Sequence, residues 1–145
     1  MSRSGYIDDM DDYLALGRWR GMVSSAIRGK RGQKMLKDML AALDAMPDKA
    51  LIIGDLETPE GDVCALGALG KARGIDMANI DPEDPPQVAA AFDIAEPLAQ
   101  EVVYMNDEYF DYVYEQNQRR EVTPEERWTK MREWVAKHIK SEAIA

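Results

Sequence analysis

The sequence predicts a mainly α (α+β) fold: a single helical domain, residues 1–145, of about five helices with one small β-hairpin. Three observations carry this. The chain has 145 residues, the size of one domain. Apolar residues recur at spacings of three and four through several separate segments, which is the helical period. One short apolar, β-branched run, Ala50–Leu56, is followed by a turn signal and a second short run.

The first helix is expected to start near Asp9 to Asp12, where acids suit the positive end of the helix dipole. Tyr13, Leu16, Trp19, Arg20, Val23 and Ile27 then fall on one face. The Gly29-Lys30-Arg31-Gly32 turn ends it. A second helix is expected from about Gln33 to Met46. Its stripe is Met35, Leu36, Met39, Leu40 and Leu43, and Pro47 stops it. Ala50–Leu56 and Asp62-Val63-Cys64 are read as the two strands of the hairpin, joined by Thr58-Pro59-Glu60-Gly61. Residues Ala65 to Ala72 read as a helix capped by Gly74. Gly67 and Gly70 each weaken it by roughly 1 kcal/mol relative to Ala, which implies close backbone packing. Asp81 to Pro86 is a loop or the start of a short helix, Gln87 to Phe92. Another helix covers about Ala95 to Asn106, with Pro97 in its tolerated first turn. Asp107 to Val122 has no clear period. The last helix opens at Thr123-Pro124-Glu125-Glu126, which holds a cap residue, a proline and a capping-box glutamate.

Composition excludes several classes. About 46% of residues are apolar and 31% charged, which suits a globular chain rather than a disordered or fibrous one. A net charge of −9 does not make a general nucleic-acid binder. One cysteine and one histidine cannot build a Cys/His zinc site, and no cofactor is expected. The lone thiol fits a reducing compartment. Met1 to Tyr6 leads into acids rather than an apolar run, and no stretch is long enough to span a bilayer. A cytoplasmic protein with no membrane partner is expected.

Charge is sorted along the chain. Arg18 to Lys37 holds seven basic residues and no acid, whereas Ile75 to Gln118 holds eleven acids and no basic residue. The basic block reads as a helix pair docking on the acidic half. Its sharper alternative is a nucleic-acid-binding turn built on Arg28, Lys30, Arg31 and Lys34. The acidic block contains five aromatics between Tyr104 and Tyr114. Tyrosines at such density carry contact energy in interfaces, so Asp107, Glu108, Tyr109, Asp111, Tyr112 and Tyr114 are the candidate partner-binding residues. An imitation of DNA phosphates by the acids is a further possibility.

The enzyme alternative centres on Cys64. At the start of a helix its thiol would gain thiolate character, and His138 is the available base. The plain reading is a small buried residue among Ala, Leu and Gly. No triad, P-loop or catalytic carboxylate pair is recognisable, so the balance favours a non-enzyme.

Cys64-Ala65-Leu66-Gly67-Ala68-Leu69, together with Tyr104-Met105-Asn106-Asp107, resembles a group of small tailed-phage and prophage proteins. These carry a Cys-x-Leu-Gly-x-Leu run and a later Met-Asn-Asp segment. Arg18-Trp19-Arg20-Gly21, Arg28 to Gln33 and Thr123 to Trp128 extend the resemblance over most of the chain. A second cysteine common in the group is Val63 here, which argues against a paired-thiol or metal role. The group has no established reaction, so the resemblance implies origin. The acidic, tyrosine-rich segment and the lack of a catalytic set add the expected role: a phage accessory protein that binds a host or phage macromolecule, with counter-defence against an immune system such as CRISPR.

Overall fold

The structure is a computed structural model that describes Arg3, Ser4 and residues 13–140. Among the described residues there are six α-helices and one two-stranded antiparallel sheet. The helices are α1 (Tyr13–Arg28), α2 (Lys30–Ala45), α3 (Ala65–Arg73), α4 (Pro85–Phe92), α5 (Glu96–Tyr104) and α6 (Pro124–His138). The strands are β1 (Tyr112–Glu115) and β2 (Gln118–Glu121). The predicted start of the first helix, Asp9 to Asp12, lies outside the described residues, as does most of Met1 to Tyr6. Among the described residues no helix is long and apolar enough to cross a membrane.

Helix α2 is central and packs on both α3 and α6. Its stripe buries Met35, Leu36, Met39 and Leu43 completely. Helix α1 lies on α5 and α2, and α4 pairs with α5. Phe92, Leu66, Leu69, Leu98 and Met131 fill the space between these layers. Each such side chain is worth about 1.5–3 kcal/mol on burial.

The break between α1 and α2 is narrower than the four-residue turn expected. Only Gly29 is non-helical, and Arg31 and Gly32 belong to α2. A Cβ on Gly32 would fall 1.9 Å from the Ala26 carbonyl oxygen, so this glycine serves the helix crossing. Helix α3 behaves as its glycines imply. A Cβ on Gly67 would meet the Leu56 carbonyl oxygen at 1.9 Å, and one on Gly70 would meet the Met77 sulfur at 2.4 Å. Gly74 closes the helix in the left-handed conformation, at φ 71°.

The hairpin exists, but not where the sequence put it. Ala50–Leu56 and Asp62–Cys64 share a single bridge, Glu57 to Val63. Gly54, at φ 83°, turns the first run before a ladder can grow. The run then divides its hydrogen bonds: the Leu51 N–H donates to Pro124 O at 3.0 Å and the Ile52 N–H to Val63 O at 2.9 Å. The true sheet pairs Tyr112 with Glu121 through to Glu115 with Gln118. Its two-residue turn, Gln116-Asn117, has φ of 54° and 63°, the positive values that a tight hairpin with matching twist requires. The expected helix to Asn106 stops at Tyr104 and continues as one π turn, Met105–Tyr109.

Candidate functional site

The Cys64–Leu69 and Tyr104–Asp107 stretches meet in space. Cys64 is the N-cap of α3, and its sulfur accepts the Gly67 N–H at 3.4 Å. A second donor of that helix end with no helical partner, the buried Ala65 N–H, donates to Asn106 Oδ1 at 3.1 Å. Two side chains from different elements thus satisfy the start of α3, where four N–H groups lack helical partners. The π turn widens the backbone at this point and so presents Asn106 inward and Asp107 beside it. Asn106 Nδ2 also donates to Ile52 O at 2.9 Å and to Asp107 Oδ1 at 2.7 Å. Arg127 of α6 donates to the Asn106 carbonyl.

Arg3 completes this cluster. Its guanidinium grips Asp107 through two hydrogen bonds, at 2.6 and 2.8 Å. The two side chains are only 3% and 12% exposed. Burial works against the Arg3 charge, but the Cys64 sulfur and the Asp107 carboxylate outweigh it, so its pKa is raised. Arg3 Nη1 is buried with no hydrogen-bond partner among the described residues. Ser4 Oγ donates to Glu108 Oε2 at 2.9 Å, and the Gly54 N–H donates to Asp107 Oδ2 at 3.3 Å.

The predicted partner-binding residues therefore divide. Asp107 and Glu108 face inward commitments, and Asp111 lies 3.6 Å from Arg127. Tyr109, Tyr112 and Tyr114 are 61%, 46% and 80% exposed. They stand on or beside the hairpin, where Arg119 stacks on the Tyr112 ring at 3.6 Å. Arg120 holds Glu115 at 2.7 Å and Glu126 at 2.7 Å, tying the arm to α6.

Cys64 and His138 occupy different surroundings. Cys64 is 1% exposed within the core. His138 Nδ1 contacts Trp134 O at 2.7 Å, and the ring lines an open cleft that Cys64 does not reach. Of the basic turn, Arg28 bonds Ser24, Arg31 pairs with Asp93 at 3.4 Å and Lys34 pairs with Asp38 at 3.2 Å. Lys30 is exposed. Among the described residues no group of three His, Cys, Asp or Glu could hold a metal ion.

Sequence reasoning missed Arg3, Asn106 and Arg127 as members of one cluster. For Asn106 the sequence offered only its place at the end of the expected helix, beside a segment whose period fails. Arg3 carries no local signal, because its partner lies 104 residues away. Compared with protein-family models, curated proteins and solved structures, the chain shows no significant match.

Proposed function

We propose that the chain is a phage-encoded accessory protein that binds a host or phage macromolecule in the host cytoplasm through its tyrosine-bearing hairpin. The observation that carries this reading is the exposure of Tyr112 and Tyr114 on an arm outside the core, with Tyr109 exposed on the neighbouring π turn. Tyrosine offers a large rigid face and a polar hydroxyl, which is why it concentrates contact energy at interfaces. A two-stranded hairpin is marginal alone. This one has eight residues, seven of them exposed, so its own burial contributes little to folding. Its ladder edges are free of further strands among the described residues, and an added strand is a known mode of recognition. The phage origin rests on the resemblance of the Cys64 and Asn106 motifs alone, and the counter-defence role, with a host system such as CRISPR as target, rests on that origin together with the tyrosine-rich segment.

The test is affinity capture from host cells with the wild-type chain and with Tyr109→Ser/Tyr112→Ser/Tyr114→Ser. The expected result is a partner retained by the first and lost by the second, with equal thermal melting. Equal capture by both would overturn the reading. The acids are the poorer targets, because Asp107 and Glu108 hold Arg3 and Ser4.

A further inference from the structure

An open cleft of about 530 Å³ runs between α6 and the α5–π-turn segment. That volume is within the ~300–1,000 Å³ of small-molecule sites. One side is a stripe of α6: Lys130, Glu133, Trp134 and Lys137, spaced at three, four and seven residues and so on one helical face. The other side is aromatic. Tyr109 meets Phe110 edge to face at 4.9 Å and Tyr104 at 6.2 Å. His138 leans on Trp134 at 4.7 Å.

The charges differ from those of the molecule as a whole. Glu101 lines the cleft, but both its oxygens are held by Arg20, at 2.7 and 2.9 Å, so this pair is neutral. Lys130 sits over the Phe110 ring at 5.6 Å. Neither Lys130 nor Lys137 makes an ion pair with a described residue. They stand two helical turns apart, about 10 Å along the axis, with Glu133 as the one carboxylate between them. A chain of net charge −9 thus bounds an aromatic-walled cleft with two ammonium groups that make no ion pair with a described residue. Aromatic faces stack planar rings, and ammonium groups take phosphate as point charges. Glu133 offers an acceptor for a ring N–H or a sugar hydroxyl.

We propose that this cleft binds a nucleoside phosphate, its base against the Tyr104–Tyr109–Phe110 wall and its phosphate on Lys130 or Lys137. The site is separate from the strand tyrosines of the hairpin, Tyr112 and Tyr114, which do not line it, and requires no macromolecular partner.

Calorimetric titration tests this with AMP, GMP, CMP and UMP, and with adenosine and inorganic phosphate alone. At least one nucleotide is expected to bind saturably, tenfold or more tighter than both adenosine and phosphate. Lys130→Glu/Lys137→Glu should weaken it at least tenfold. Tyr109→Ala should weaken it at least threefold while phosphate alone is unaffected. Lys137 is exposed and Lys130 half-buried, so the double variant should stay folded, melting a little below the wild type because it loses the contact to Phe110 and places an acid in the last turn of α6. No saturation below millimolar nucleotide would overturn the proposal, as would phosphate binding as tightly as any nucleotide. Undiminished affinity in the folded lysine variant would also overturn it. Tyr112→Ser/Tyr114→Ser should leave nucleotide affinity unchanged, which separates this site from the hairpin reading.

Discussion

Cys64 shows how much one side chain can do in a crowded place. It caps α3 with a weak sulfur acceptor, fills a core position and lies against the Arg3 guanidinium. Its reactivity is therefore governed by access. Ellman's reagent should modify the folded protein far more slowly than the urea-unfolded chain; equal rates would contradict the burial. Replacement by Ala removes the cap and part of the core packing, at a cost of about 1 kcal/mol, readable as a lower urea midpoint. Asp107 holds the cluster from the other side. Asp107→Asn leaves Arg3 beside a neutral amide, and breaking a buried pair costs about 3–5 kcal/mol. Arg3 can escape that cost only by leaving the cluster. The variant should therefore both melt earlier and expose Cys64 to the reagent faster. A variant that loses stability without faster thiol labelling would show that Arg3 does not guard the sulfur.

At the scale of elements, α6 and the hairpin are joined electrostatically. The capping box is complete: Thr123 Oγ1 accepts the Glu126 N–H, and Glu126 accepts the Thr123 N–H. Arg120 of β2 adds two hydrogen bonds to the same carboxylate. Arg120 foremost, then the Thr123 N–H, lowers the Glu126 pKa from 4.5 to about 2. A depressed carboxylate stabilises the fold above its unfolded pKa and loses that contribution as pH falls through the folded value. Melting of the wild type should therefore fall between about pH 4.5 and 2, and Glu126→Gln should flatten this part of the profile. Profiles that superimpose would rule out the linkage. Thr123-Pro124 and the Glu126 cap were legible in the sequence because such signals are local. So were the α2 stripe and the glycine-rich α3, whose periods and costs need no distant partner. The hairpin was misplaced because its turn is Gln-Asn rather than Asn-Gly, and because Leu51-Ile52-Ile53 is as apolar as a strand. In the fold that run is a connector, buried at Leu51 but 52% exposed at Ile53, and its backbone partners, Pro124 and Val63, lie far apart in the chain. The Arg3–Asn106–Asp107 cluster was illegible for the same reason: only the tertiary structure brings its members together.

Across the whole molecule, the basic N-terminal helices do dock on the acidic centre, but at few points. Arg20 meets Glu101 and Arg31 meets Asp93. The Arg31 pair is exposed on both sides and is worth little. The Arg20 pair is asymmetric, because Arg20 is half in water and Glu101 is buried. Arg20→Ala strips a buried carboxylate of its guanidinium and should cost about 2–3 kcal/mol. Glu101→Gln leaves Arg20 free to hydrate and should cost less. Chemical denaturation of the two variants measures this ordering, and the reverse order would contradict it. The single-residue corner at Gly29 has a different kind of consequence. It fixes the angular phase between the two longest helices, and Gln33 extends that setting by bonding Ile27 O and His138 O. One residue inserted there would rotate α2 by about 100°, swinging Met35, Leu36 and Met39 out of the core. Tolerance to length change in this chain is thus set by helical phase at the corner. The tip of the hairpin, where the same insertion alters no buried contact, is the natural place to graft a tag.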